Sequence, residues 1–116
     1  MAFTYSRLTE ISEIASSAAS VYANPSSTTS YVRSIILHNT NSSAEVVTLY
    51  NVPDSSGSAG TAATANQFYK ASVAADSTVI VEFATPGLVL SDTNDTIQAS
   101  TTTANKVTIQ IMGATE

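Results

Sequence analysis

The chain has 116 residues, no cysteine and a net charge of −5, and only 11% of its side chains are charged, against about 25% in a typical domain. This length predicts one domain, and disulfides and cysteine-based zinc sites are excluded. The four basic residues, Arg7, Arg33, Lys70 and Lys106, are too few to build a nucleic-acid-binding patch or to hold the chain on anionic lipid.

Ser, Thr, Asn and Ala supply most of the polar and small surface instead. Such a coat carries little ionic desolvation cost, and charge is depleted at the centres of protein interfaces, so the composition suits a domain packed against neighbours. The segment Met1 to Glu10 has neither a basic stretch nor a continuous apolar one, so no signal peptide is expected. The longest aliphatic runs fall far short of the ~20 residues needed to span a bilayer. The chain therefore reads as a soluble protein made in a reducing cytoplasm, with neither membrane nor nucleic acid as a partner.

In chain order, Phe3 and Tyr5 alternate as in a strand, whereas Leu8, Ile11 and Ile14 have helical spacing, and Asn24-Pro25-Ser26-Ser27 marks a turn. Residues 1–28 are expected to form an N-terminal arm, a strand or short helix followed by a loop, ordered mainly by what ties it down. Residues 29–116 are expected to form the main domain. Tyr31 to Asn39 is the strongest strand, and its Ile35-Ile36-Leu37 centre predicts cover on both faces. After the turn Asn39 to Ser43, Glu45 to Val52 reads as its antiparallel hairpin partner.

Pro53 to Asn66 has no large side chain and is expected to be a long exposed loop, mobile unless a partner holds it. Gln67 to Val73 is a short strand. Thr78 to Phe83 alternates, with Val79, Val81 and Phe83 inward and Glu82 outward. Leu88 and Leu90 follow the Pro86-Gly87 turn, and Thr96 to Ala99 and Val107 to Met112 complete the set as the closing hairpin. About seven short strands separated by turn residues predict an all-β fold, a single antiparallel β-sandwich of jelly-roll or immunoglobulin-like type preceded by the arm.

Catalytic patterns are weak. His38 is the only histidine, and a Ser-His-Asp arrangement would have to use it with Asp54, Asp76, Asp92 or Asp95, yet no serine sits in a G-x-S-x-G elbow. The ordinary reading of His38 is a partly exposed edge residue bonded to the next turn. Asp92-Thr93-Asn94-Asp95 opens like a calcium loop but lacks the distal Glu, and would need Asp76 or Glu82; an Asx turn is the simpler reading. Glu10 and Glu13 would face one another on a helix, where a solvated face or a partner for Arg7 explains them better than acid–base work. The sequons at Asn41 and Asn94 follow from composition. No catalytic residue, cofactor or metal site is assigned.

Tyrosine is the better sign of binding, because it combines a large apolar ring with a polar tip. Tyr5, Tyr22, Tyr31, Tyr50 and Tyr69 all fall near predicted strand ends or faces. With Phe3, Arg7 and Leu8 of the arm they form the candidate interface.

Tyr31-Val32-Arg33-Ser34-Ile35-Ile36-Leu37-His38-Asn39-Thr40, followed by Val47-Thr48-Leu49-Tyr50-Asn51-Val52-Pro53, resembles a hairpin of small tailed-bacteriophage virion proteins. Pro86-Gly87-Leu88-Val89-Leu90, Asp95-Thr96-Ile97-Gln98-Ala99 and Val107-Thr108-Ile109-Gln110-Ile111-Met112-Gly113 are similar to the end of the same proteins. A familiar form of the late motif has Gly-Asp before the strand; here Asn94 takes the left-handed position, which Asn tolerates.

The resemblance implies a structural β-sandwich of the virion, made in the host cytoplasm and acting as a homo-oligomer, with a trimer favoured. The implied role is capsid decoration (cement), with the major capsid protein as partner. The alternative is a tail, neck or fibre component, including a receptor- or glycan-binding module that would use the 53–66 and 91–95 loops.

Overall fold

The computed structural model describes residues 4–116. Their strands are β1 (Thr4–Arg7), β2 (Ser12–Glu13), β3 (Ala19–Ala23), β4 (Ser30–Asn39), β5 (Glu45–Val52), β6 (Gln67–Val73), β7 (Thr78–Glu82), β8 (Leu88–Leu90), β9 (Thr96–Thr101) and β10 (Val107–Thr115), and the only helical turn is a short 3₁₀ segment at Thr64–Asn66. The fold is all-β, two antiparallel sheets packed face to face as a β-sandwich. The larger sheet runs β1-β10-β4-β7, with β2 added on β10 and β8 on β4; the smaller runs β3-β9-β5-β6.

Alternation explains the layers. Val32, Ile35 and Leu37 of β4 and Val107, Ile109 and Ile111 of β10 point inward from the large sheet, against Val47 and Leu49 of β5 and Ile97 and Ala99 of β9; none is more than 1% exposed. Each large aliphatic side chain withdrawn from water in this way contributes about 1.5–3 kcal/mol.

Two pairings differ from the sequence expectation. β4 and β5 are not a hairpin: β4 pairs with β10, β7 and β8, while β5 pairs with β6 and β9. Likewise β9 and β10 lie in different sheets rather than closing a hairpin. The chain crosses between layers at both connections, so the apolar faces of consecutive strands meet across the core. Asn39, fully buried, holds the first crossing: its side-chain amide donates to the carbonyls of Ser43 (2.9 Å) and Val73 (3.0 Å), and its Oδ1 accepts from the Asn41 N–H (2.9 Å).

The helical spacing of Leu8, Ile11 and Ile14 yields no helix. The free edge of β10 offers backbone partners instead: the N–H groups of Leu8 and Ile14 donate to Ile111 and Val107 (2.7 and 2.9 Å). Ile14 is buried, Leu8 packs on the core and Ile11 is 61% exposed. β3 joins the small sheet, so the described part of residues 1–28 supplies strands to both layers.

The large sheet carries one irregularity that shapes its surface. Pairing with β10 passes from Met112–Ser34 to Gly113–Val32, which leaves Arg33 as the extra residue of a β-bulge. The backbones approach so closely there that a Cβ on Gly113 would strike the Tyr31 carbonyl oxygen. Gly113→Ala is therefore expected to destabilise the domain by about 2–3 kcal/mol, read as a lower denaturation midpoint with unchanged denaturant dependence.

Glu45 is 2% exposed, yet its carboxylate accepts from Asn41 Nδ2 (2.9 Å) and from the Thr103 N–H (2.8 Å). Burial pushes its pKa up, but these hydrogen bonds and the Lys106 charge outweigh that and hold it below the usual carboxylate range. A lowered folded-state pKa adds stability above the unfolded value, and that stability is lost as pH falls through the folded one. Glu45→Gln should therefore weaken the protein at neutral pH, with the two denaturation midpoints converging in acid.

Candidate functional site

The outward side of the large sheet is built by cross-strand rows. Tyr5, Ala114, Tyr31 and Val89 form one; Arg7, Met112, Ser34 and Glu82 the next; then Gln110, Ile36 and Ile80; then Thr108, His38 and Thr78. Tyr5 is 66% exposed, Ile80 57% and Val89 41%, so three of the five exposed large apolar side chains among the described residues share this face. Arg7 and Arg33, two of the four cations, sit among them.

The bulge directs Arg33 across this surface. Its guanidinium carbon lies 5.7 Å from the centre of the Tyr5 ring, a cation–π distance. Its Nε is buried and has no hydrogen-bond partner among the described residues. Tyr5, Ser6, Arg7, Arg33, Met112 and Gly113 line a shallow, mainly apolar groove of about 400 Å³. Arg7 also makes an exposed ion pair with Glu10 (3.3 Å), a contact worth little in solution. Glu10 thus meets Arg7 within the chain, and Glu13 is paired in β2 beside Thr108.

Of the candidate interface residues, Tyr5, Arg7 and Tyr31 belong to this face. The Tyr31 hydroxyl donates to Glu116 Oε1 (2.7 Å), which raises its pKa above the ordinary tyrosine value. Leu8, Tyr22 and Tyr69 pack against the core instead, and the Tyr22 hydroxyl meets Ser30 Oγ at 2.6 Å. Tyr50 is on the opposite side of the sandwich, paired with Gln98 on the outer face of the small sheet. Phe3 lies outside the described residues.

His38 shares a hydrogen bond with Thr78 Oγ1 of the neighbouring strand (2.9 Å), rather than with the turn that follows it. The carboxylates of Asp54, Asp92 and Asp95 have oxygens within 4.8 Å of one another, so Asp54, and not Asp76 or Glu82, joins the Asp92–Asp95 loop. Asp95 is 8% exposed, and backbone amides already engage both its oxygens: Asp54 N–H at Oδ1 (2.9 Å) and Asp92 N–H at Oδ2 (3.0 Å). Asn94 takes the left-handed conformation (φ 69°) that its place in the motif predicts, and its amide donates to the Gly57 carbonyl (2.7 Å). Gln98 Nε2 donates to Gly60 (3.0 Å). The 53–66 loop, expected to wait for a partner, is held by its own chain.

Sequence reasoning missed Ile80, Met112 and Arg33. The signal for Ile80 was present, since placing Val79 and Val81 inward leaves Ile80 in the outward phase with Glu82. Comparison with protein-family models, curated proteins and solved structures gives no match to this chain.

Proposed function

We propose that the chain is a structural binding module that works through the outer face of its large sheet. More specifically, we propose a decoration protein of a tailed-phage head, bound across junctions between copies of the major capsid protein and located in the virion. The observation that carries the reading is the composition of that face: Tyr5, Ile80 and Val89 exposed around Met112 and two arginines. Interface centres favour Tyr, Met and Arg, and the carboxylate in these rows, Glu82, stands on the edge strand β7 at the rim of the face. The particular role rests on the resemblance of residues 30–113 to small virion proteins.

No bond is made or broken in this function. A decoration protein acts by repetition: modest contacts from many symmetry-related copies add to a large stabilisation of the shell. The test is co-sedimentation of purified protein with expanded heads stripped of their own decoration. Saturable binding at a fixed ratio to capsid subunits is the expected result. Absence of binding, together with ring-shaped oligomers or adhesion to host cells, would overturn it in favour of a neck ring or a receptor-binding tail component.

A further inference from the structure

The edges of the two sheets are unequally protected. β6 carries Lys70 and a bulge at Phe68, β3 is bulged at Val21, β8 has only three residues, and β1 is interrupted after Arg7, where Leu8 turns to the core. Features of this kind blunt strand-to-strand association. β7 has none of them. Thr78-Val79-Ile80-Val81-Glu82 is a regular strand without lysine, proline or bulge, and among the described residues it is paired on one side only, with β4.

The bonds that bracket β7 set the phase of its ladder. Asn39 N–H donates to the Ser77 carbonyl and Phe83 N–H to the Arg33 carbonyl, both at 3.0 Å. In an antiparallel pair alternate residues exchange both bonds, so Val79 and Val81 are committed to β4. The N–H and C=O groups of Thr78, Ile80 and Glu82 therefore point out from the open edge.

The geometry points to a second copy of this chain as the partner of that edge, pairing β7 with β7 antiparallel about a two-fold axis at Ile80. In this register Ile80 meets Ile80 of the partner subunit, and Thr78 meets Glu82 of the partner subunit at both ends. Every outward backbone group of Thr78, Ile80 and Glu82 is used. The strand's single charge faces a threonine, so no like charges are opposed. The half-exposed Ile80 is set against its counterpart, and the Ile36–Ile80 row continues into the second subunit. Symmetry supplies the complementary strand without any further requirement. Directly opposed residues share a face, so both copies present their large-sheet outer surfaces in the same direction. The inference does not depend on what those surfaces bind.

Sedimentation velocity on the full chain is expected to show a reversible monomer–dimer equilibrium, with the Ile80 amide exchanging more slowly as concentration rises. Thr78→Lys sets a cation against the partner's Glu82, and Thr78→Glu sets an anion there. The first should tighten the dimer and the second loosen it, leaving dissociation constants at least about tenfold apart, because each cross-strand pair occurs twice. A chain that stays monomeric to its solubility limit, a trimer, or two Thr78 variants that shift together would overturn the inference.

Discussion

Asp95→Ala is expected to lower the thermal midpoint by on the order of 10 °C and to loosen two loops at once. The side chain is 8% exposed, and its two oxygens accept from the Asp54 and Asp92 amides, one in each loop. Truncation leaves two part-buried backbone donors without their acceptor oxygens, at a cost of about 1–3 kcal/mol in all. Asp95→Asn keeps one acceptor oxygen and turns an amide group toward the other donor, so it should lose roughly half as much. Proteolysis within residues 53–66 should accelerate in both variants, because Asp95 is one of the anchors of that loop. A midpoint of the unsubstituted protein that rises with added calcium would instead assign Asp54, Asp92 and Asp95 to a cation, and would overturn this account.

The same loop marks a boundary of what the sequence makes legible. Its small residues announce exposure, and they do expose it, but the residues that hold it down are distant in sequence. Gln98 reaches Gly60, Asn94 reaches Gly57 and Asp95 reaches the Asp54 amide only because β9 lies beside β5. That neighbourhood is not written in either strand, since alternation sets which face a residue takes and leaves open which strand stands next to it. The expected strands from Tyr31 onward all form, because their apolar phase is strong. The hairpins at β4–β5 and β9–β10 do not, because consecutive strands with two strongly apolar inner faces bury more surface by facing each other across the core.

The irregular elements show the same division. Residues 4–23 read ambiguously because short alternating and helical patterns overlap there, and the choice fell to the open edges of β10 and β9. The bulge at Arg33 left a trace: Val32 and Ile35 are both fully buried although three positions apart, so the inward phase slips by one residue between them. Two polar residues, Arg33 and Ser34, fill the gap. Tyr5, Arg7 and Tyr31 of the outer face were visible as residue types, whereas the groove they share with Met112 required the β1–β10–β4 register.

The binding role proposed for that face makes the last prediction a large one. Tyr5→Ala and Arg33→Ala are each expected to weaken binding to stripped heads by about 30-fold or more, the scale of residues that dominate an interface. Stability should hardly change. Tyr5 is two-thirds exposed, and Arg33→Ala exchanges a surface cation–π contact for relief of an Nε buried without a partner. Arg33→Lys should not restore binding, because a compact ammonium does not reproduce the planar guanidinium that lies over the Tyr5 ring. The two losses should differ in salt dependence, with the arginine contribution shrinking as ionic strength rises and the Tyr5 contribution persisting. Tyr50→Ala, on the opposite side of the sandwich, should bind as the unsubstituted protein does. If Tyr50→Ala abolishes binding while Tyr5→Ala and Arg33→Ala bind normally, the partner-binding surface is the small sheet and not the outer face of the large one.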